Sequence, residues 1–98
     1  MIKNQVITMN TGIKQSAGNI VSDMDGEKVM LSIHNGKYYN LGELGGEIWE
    51  LVKEPTLVRD IVTTLQSHYE VESSICQEQV ITFLSQLIDE GLMEIDTP

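Results

Sequence analysis

The chain has 98 residues, of which 15 are acidic and 6 are basic, and its formal net charge is −9. This length gives room for one hydrophobic core, so we predict a single domain over residues 1–98. The acidic excess argues against nucleic acids and membranes as partners, since phosphates and anionic lipids repel a negatively charged protein. Cys76 is the only cysteine, and we find no secretory signal or membrane-spanning apolar run, which favours a cytoplasmic setting.

Turn residues divide the first part of the chain into short strands. Asp25-Gly26 and Asn35-Gly36 are strong hairpin signals, and Val29, Leu31 and Ile33 alternate between them as in a half-buried strand. The pattern predicts an antiparallel sheet of three to four strands between about residues 5 and 41. Its strands comprise a short segment around 6–9, one that includes Ile20 and Val21, the segment 27–33, and a last strand at 37–41.

Different registers are open for the hairpin around Asn35-Gly36. A two-residue turn pairs Leu31 with Asn40, whereas a three-residue loop pairs Leu31 with Tyr39. We favour the three-residue loop, because it gathers the apolar residues of both strands on one face and leaves Tyr38 and Asn40 pointing away from it.

The second part of the chain has the apolar spacing of three helices. The pattern predicts these helices over about 43–53, 57–68 and 74–90. Thr56 is a suitable N-cap for the second helix, Ser74 and Gln77 form a capping box for the third, and Gly91 ends it. Strands followed by three helices indicate an α+β fold of the winged helix-turn-helix type, with 92–95 as a closing strand or a docked tail.

The third predicted helix has an unusually wide apolar side. At 100° per residue its apolar arc spans roughly 160°, against the ~100° stripe of a one-sided surface helix. The arc comprises Phe83, Cys76, Leu87, Val80, Leu84, Ile88 and Ile81. One interpretation is a central helix contacted on two sides, and another is that part of the arc lines a groove open to a ligand. The two interpretations are compatible.

No set of residues converges on a catalytic or metal site in the sequence. Cys76 shares a helical face with apolar residues, so we interpret it as a buried structural thiol, not as a nucleophile activated by His34 or His68. These three residues lack the close spacing of a zinc site, and Gly45-Gly46 is typical of close packing, not of phosphate binding. We therefore predict a non-enzymatic protein without a metal or cofactor. DNA binding is disfavoured, because the third helix has no Lys or Arg.

The strand Lys37–Leu41 is the last one before the helices and a candidate sheet edge. It has no proline and a single charge, Lys37, so little in its sequence blocks pairing with another strand. Addition of an extended peptide is a known recognition mode for such an edge, and Tyr39→Pro is then expected to abolish binding. The alternatives are that the N-terminal segment covers the edge, or that a second copy pairs with it in a homodimer.

The order and spacing of several motifs resemble the PqqD-like family over about residues 18–93. These motifs are Ser22-Asp23-Met24-Asp25-Gly26-Glu27, Val29-Met30-Leu31, Gly36-Lys37-Tyr38-Tyr39-Asn40-Leu41, Gly46-x-Ile48-Trp49-x-Leu51, Tyr69-Glu70-Val71, Phe83-Leu84 and Gly91-Leu92. Within the family, the chain is most similar to the stand-alone recognition proteins of lasso-peptide pathways. It departs at Gly42-Glu43-Leu44, where relatives often have Asn followed by Pro or Thr.

The resemblance implies a recognition element for ribosomally synthesised and post-translationally modified peptides. Such an element binds the leader of a precursor as a strand beside its last sheet strand and against its third helix, and it works with a leader peptidase and a cyclase. The implied site comprises Lys37, Tyr38, Tyr39, Asn40 and Leu41 on the strand, and Cys76, Val80, Phe83, Leu84 and Leu87 on the helix.

Overall fold

The computed structural model describes residues 7–24, 27–33 and 35–96. Strands dominate the first part and helices the second, in agreement with the periodicity of the sequence. The elements are β1 (Gly12–Gln15), β2 (Asn19–Met24), β3 (Glu27–Ser32), β4 (Lys37–Leu41), α1 (Gly42–Leu51), β5 (Thr56–Leu57), α2 (Val58–His68), α3 (Ser73–Asp89) and β6 (Met93–Asp96).

The described strands form two antiparallel sheets instead of the single sheet predicted. Strand β1 lies between β5 and β6 in one sheet, and β3 lies between β2 and β4 in the other. The predicted α+β class is confirmed, and the closing strand expected at 92–95 is β6, which pairs with β1. The segment 7–10 forms no strand, and residue 6 of the predicted strand at 6–9 lies outside the described residues.

The hairpin between β3 and β4 has a register that we did not predict. Met30 lies opposite Tyr39 and Leu31 opposite Tyr38, so the last pair is Ser32–Lys37 and the predicted three-residue loop is wrong by one residue. Met30 is consequently buried, whereas Ile33 is 63% exposed. Tyr38 is exposed as predicted.

Ser32 is the residue that accounts for the longer loop. It is buried at the end of β3, its carbonyl accepts the Gly36 N–H at 2.7 Å, and its hydroxyl accepts the Asn35 N–H at 3.2 Å. Gly36 has a φ of 66°, which glycine adopts without steric cost. The apolar alternation on which our register relied contains no information about these polar contacts. At the other hairpin Asp25-Gly26 lies outside the described residues, and Met24 pairs with Glu27 across it.

The helix bounds agree with prediction to within about two residues, but two of the three predicted end signals are wrong. Thr56 lies in β5, where its hydroxyl donates to the carbonyls of Leu51 and Glu54, and Leu57 is the N-cap of α2 without a side-chain bond. The N-cap of α3 is Glu72, again without a side-chain bond, so the predicted Ser74–Gln77 capping box does not form.

Gly91 ends α3 as predicted. Its φ is 78°, its N–H donates to Ile88 O at 3.0 Å, and the Leu92 N–H donates to Leu87 O at 2.8 Å. These two bonds are those of a Schellman motif, and they turn the chain from α3 into β6. The turn matters for the fold, since β6 then completes the sheet around β1.

The hydrophobic core lies between the helices and the two sheets. It comprises Ile13, Met30, Leu41, Ile48, Trp49, Val52, Val58, Ile61, Val62, Leu65, Cys76, Val80, Leu84, Leu87, Leu92 and Met93. None of the described helices combines the length and hydropathy that a bilayer crossing requires.

Gly45 and Gly46 allow α1 to approach its neighbours closely, as their sequence suggested. A Cβ atom on Gly45 would lie 2.9 Å from Phe83 Cζ, and one on Gly46 would lie 3.0 Å from Lys28 Cγ. The first of these contacts fixes the distance between α1 and α3, and with it the shape of the surface described next.

Candidate functional site

Strand β4 is an edge of its sheet, and its backbone directs part of its hydrogen-bonding groups outward. The Ile33 N–H donates to Gly18 O, directly opposite in the β2–β3 register, which fixes the alternation of bonds along β3. Odd-numbered residues of β3 therefore bond β2, and Met30, between two of them, bonds Tyr39 of β4. It follows that the backbone N–H and C=O of Tyr38 and Asn40 point away from β3.

No segment of the described chain pairs with this outward side of β4. The ladder of β4 runs to β3 alone, followed by a single bridge between Lys28 and Gly42. The Asn40 side chain turns back to accept the Gly42 N–H at 2.9 Å, which caps the turn into α1. Within residues 7–24, 27–33 and 35–96, the edge is therefore available to a further strand.

The C-terminal end of α3 is tied by side-chain contacts to β4 and to the loop before it. Asn35 donates its side-chain N–H groups to Glu90 O at 2.9 Å and to the Tyr39 hydroxyl at 3.2 Å, and that hydroxyl lies 3.4 Å from Glu90 Oε2. Further along, the Phe83 ring lies against Gly45, next to Leu41 at the end of β4. These contacts hold the strand edge and the helix as two sides of one surface.

A groove of about 490 Å³ opens along the outer side of α3 next to α1. We call it the α3 groove. It is lined by Leu44, Ile75, Glu78, Gln79, Thr82, Phe83 and Gln86. Phe83, beside the end of β4, joins the groove to the strand edge, so an extended chain leaving β4 meets apolar surface at Phe83, Leu44 and Ile75.

The strand residues of the predicted site differ in what they present. Lys37, Tyr38 and Asn40 are exposed, Tyr39 is half-buried, and Leu41 is buried in the core. Tyr39 and Leu41 lie on the inner face beside α3 and α1, whereas Tyr38 and Asn40 lie on the outer face. A ligand on this edge would thus meet different chemistry on its two faces.

Four of the five helix residues of the predicted site lie in the core. Cys76, Val80, Leu84 and Leu87 are between 0% and 6% exposed, and Phe83 alone is half-buried at the surface. The wide apolar arc therefore reflects a central helix that packs on α2 and the sheets. Burial also raises the pKa of the Cys76 thiol, which keeps it protonated at neutral pH.

Most of the groove lining on α3 was not predicted from the sequence. Ile75, Gln79, Thr82 and Gln86 follow one another at intervals of three or four residues, which is the spacing of one helix face. Three of them are polar and look like an ordinary solvated surface. The one available signal was Ile75, an apolar side chain that lies outside the buried stripe and is 46% exposed.

The charges around the α3 groove are mostly negative. Glu78 lines the groove and Glu90 lies at the end of α3, while Lys37 begins β4. Within the described part of the chain Lys37 has no acidic partner, unlike Lys14, Lys28 and Lys53, which form ion pairs. Lys37 is thus available to an acidic group on a ligand.

The described histidine makes a local contact outside the groove. His68 ends α2, and its Nδ1 pairs with Glu47 Oε2, while the other oxygen of Glu47 accepts the Tyr69 hydroxyl at 3.2 Å. His34 lies outside the described residues. Over the described ranges no group of three or more metal-binding side chains comes together.

Comparison with known families gives one match that covers most of the chain. The family model described as "Coenzyme PQQ synthesis protein D (PqqD)" matches residues 27–93. No curated protein sequence matches.

Solved structures provide three similar folds. TbiB1 in complex with the TbiA(β) leader peptide is 27% identical over 87% of this chain and 99% of that chain, with a TM-score of 0.78. A lasso peptide synthetase B1 complexed with the leader peptide is 21% identical over 84% and 96% of the two chains, with a TM-score of 0.75.

The third structure is the PqqD truncation of Methylobacterium extorquens PqqCD, described as a functional stand-alone recognition element for ribosomally synthesised and post-translationally modified peptides. It is 15% identical over 91% of this chain and 95% of that chain, with a TM-score of 0.76. At this identity, and at the 21% of the second structure, the likeness shows a common fold alone.

Proposed function

Because this chain belongs to the PqqD family, whose model matches residues 27–93, we propose that it binds the leader region of a ribosomally synthesised precursor peptide. The leader adds as an extended strand to the β4 edge and buries side chains against α3. The protein contributes binding and no catalysis. The two peptide-bound B1 structures of the same fold support this proposal.

The observation that carries the proposal is the open backbone of Tyr38 and Asn40 next to the α3 groove. An added strand satisfies these outward groups with backbone hydrogen bonds, which give affinity independent of sequence. Side chains on its inner face meet Phe83 and the groove, which gives specificity. Burying two or three apolar side chains contributes roughly 3–8 kcal/mol before entropy costs, which is compatible with micromolar binding.

Delivery to a leader peptidase and, with it, a cyclase is the second part of the proposal. The outer face of the β2–β3–β4 sheet carries a row of apolar residues in register, with Ile20 opposite Leu31 and Leu31 opposite Tyr38. Ile20 is 52% and Tyr38 is 74% exposed, so together with Leu31 between them they form an exposed apolar row. A strand added beside Tyr38 continues this face, so a partner enzyme docking here contacts adaptor and leader together.

The direct test is a titration of ¹⁵N-labelled protein with leader peptides encoded beside its gene, followed by NMR. We expect amide shifts at residues 37–41 and along α3 at Ile75–Gln86, together with hydrogen-exchange protection of the Tyr38 and Asn40 amides. Shifts confined to other surfaces, or an absence of protection at these two amides, would contradict strand addition.

A homodimer through the same edge is the alternative that this experiment must separate. Pairing of two β4 strands also protects the Tyr38 and Asn40 amides, but it does so without any peptide. Light scattering across a concentration series distinguishes the two. A stable dimer that added leader does not dissociate would favour the alternative, whereas the net charge of −9 on each copy disfavours it.

A further inference from the structure

Strand β2 is the other edge of the sheet that contains β4, and the outward side of its backbone is open as well. The Ile33 N–H donates to the Gly18 carbonyl opposite it, so odd-numbered residues of β3 bond even-numbered residues of β2. The backbone N–H and C=O groups of Asn19, Val21 and Asp23 therefore point away from β3. No strand of residues 7–24, 27–33 and 35–96 pairs with these groups.

A cleft of about 320 Å³ lies on the inner side of this edge, between β2 and the end of α1. We call it the β2 cleft. Its uncharged lining residues are Gln15, Asn19, Val21 and Trp49. Val21 is on the inner face, because it lies opposite the buried Met30. A strand added opposite Val21 consequently directs one side chain into the cleft.

Three polar groups of the β2 cleft have no protein partner among the described residues. Trp49 is 4% exposed, and its indole N–H has no acceptor within those ranges. Every enclosed side-chain nitrogen and oxygen that the structure describes has a partner, so this N–H reaches the open space of the cleft. Gln15 donates its amide N–H to Trp49 O at 2.8 Å, and Asn19 donates its own to a carbonyl at 3.1 Å, which leaves both amide oxygens without a described donor.

The charged groups of the β2 cleft are paired with one another. Lys28 Nζ lies 3.2 Å from Asp23 Oδ2 and 3.5 Å from Glu50 Oε1. Lys53 Nζ lies 3.6 Å from Glu50 Oε2, so two ammonium groups balance two carboxylates. A charged side chain entering the cleft would lose hydration without meeting an unpaired counter-charge. An apolar side chain would cover the Trp49 N–H without offering it an acceptor.

We propose that the β2 edge is a second strand-addition site, which takes an extended segment of a partner protein with an Asn or Gln side chain directed into the β2 cleft. The carboxamide oxygen accepts the Trp49 N–H, and its NH₂ group donates to the free oxygen of Gln15 or Asn19. The backbone of the same residue pairs with the outward N–H and C=O of Val21.

The chemistry of the two edges separates this occupant from the leader. The β4 edge borders apolar surface at Phe83 and Leu44, whereas the β2 edge borders amides and paired charges. The two edges are two strand spacings apart, about 10 Å, so both can be filled at once in a five-stranded sheet. The net charge of −9 disfavours a second copy of the chain at β2 and favours a segment flanked by Lys or Arg.

The test uses a synthetic seven-residue peptide with a central glutamine, flanked on each side by valine, then threonine, then lysine. Trp49 is the single tryptophan of the chain, so its indole N–H gives one signal in a ¹⁵N spectrum. We expect the peptide to shift this signal and the amides of Val21 and Asp23. Replacing its central glutamine by leucine or by glutamate should weaken binding roughly three- to tenfold.

Trp49→Phe keeps an aromatic ring and removes the indole N–H. In this variant the preference for the glutamine over the leucine peptide should fall below about twofold, measured from the Val21 amide shifts. Val21→Pro removes an outward N–H and should abolish peptide binding, while Val21→Ala shows how much of the loss is due to the side chain. Tyr38→Pro acts on the β4 edge instead and should bind the peptide like the wild type.

Several results would overturn the β2 site. These are an absence of shifts at Val21 and Asp23 at millimolar peptide, equal affinity of the wild type for the glutamine and leucine peptides, or peptide binding that Tyr38→Pro abolishes. Hydrogen-exchange protection of the Val21 amide in the free protein would show that the edge is already paired, within the chain or, where protection rises with concentration, with a second copy. Leader binding at β4 is measured by a separate titration, so either site can fail while the other stands.

Discussion

The two sheets of this protein have edge strands that differ in charge. Strand β6 is an edge of the first sheet and carries Glu94 and Asp96, whose carboxylates lie 3.5 and 3.8 Å from the Lys14 ammonium on β1. Strand β4, the edge of the second sheet, has a single charge and two tyrosines. Edge strands rich in charge resist pairing with other chains, and edges with few charges invite it.

The surroundings of the two edges strengthen this contrast. The β1 strand behind β6 buries Ile13 completely, and the Schellman turn at Gly91 leads α3 directly into β6. Behind β4, the outer face exposes Ile20 and Tyr38, and the inner face borders an open groove. We infer that the β1 sheet serves to complete the fold, whereas the β4 sheet is the part adapted to receive a ligand.

The largest expected effect comes from placing proline on the outward side of β4. Tyr38→Pro removes an outward N–H and blocks strand addition without breaking a bond to β3. We expect leader affinity to fall at least about 30-fold by isothermal titration, with a melting temperature close to that of Tyr38→Ala. Tyr38→Ala also shows how much of the loss is due to the ring.

The matched control is Ile95→Pro in β6. The Ser16 N–H donates to Leu92 O in the β1–β6 register, so by the same alternation the Ile95 N–H points outward from its sheet. This proline should leave leader affinity unchanged. Equal losses in Tyr38→Pro and Ile95→Pro would mean that both substitutions act through general stability, and the contrast between the edges would be lost.

The residue at which this proline acts on the ligand alone could not be chosen from the sequence. From the sequence alone Tyr39→Pro was the natural test, but the Tyr39 backbone bonds Met30, so that variant would damage the sheet itself. The register could not be predicted, because it depends on polar contacts of Ser32 in the loop and not on apolar alternation. An error of one residue exchanges the inward and outward sides of the strand.

Other parts of the fold were predictable for physical reasons as well. The helices have strong apolar periodicity. Gly91 follows the last helix in a left-handed conformation, which glycine adopts readily and which ends a helix. Strand β5 has two residues and β6 has four, which is too short for periodicity to indicate a second sheet. The β4 edge was predictable because helices follow it directly, whereas the polar groove residues of α3 resembled ordinary surface. That the whole chain is one domain stays a prediction.

The second prediction compares alanine substitutions at two adjacent glycines of α1, of which Gly45 faces Phe83 at the α3 groove and Gly46 faces Lys28. Gly45→Ala places a methyl group 2.9 Å from Phe83 Cζ, so the half-buried ring, which also lines the α3 groove, must shift to accommodate it. We expect leader affinity to fall about tenfold, while the gain in helix propensity of up to ~1 kcal/mol offsets much of the strain on stability.

Gly46→Ala is the control for that substitution. Its methyl group meets the Lys28 side chain, which lies on the far side of α1 from the groove. Leader affinity should be unchanged in this variant, and stability should change by less than about 1 kcal/mol. A tenfold loss of affinity in both variants would indicate that leader binding depends on the conformation of α1 and not on the position of the Phe83 ring.

The third prediction concerns the pH dependence of stability caused by the buried Cys76 thiol, which lies in the core beneath the α3 groove. Burial raises the folded-state pKa of the Cys76 thiol above its ordinary value, so the folded protein retains this proton to a higher pH than the unfolded chain does. Its stabilising contribution is complete below the unfolded pKa and decreases as pH rises from there through the folded pKa. Urea unfolding between pH 7 and 10 should therefore show a steeper loss of stability in the wild type than in Cys76→Ala. Parallel pH profiles would contradict the burial of the thiol.

The smallest effect is expected at the charged edge itself. Lys14→Gln leaves Glu94 and Asp96 without their cation, but the pairs are exposed and long, so the free energy of unfolding should fall by only about 0.5 kcal/mol. The loss should disappear in 0.5 M salt, since these charges are screened. Leader affinity should not change, because β6 makes no part of the site. If Lys14→Gln instead weakened leader binding, charge on β6 would be acting on the ligand, and the two edges would not be independent.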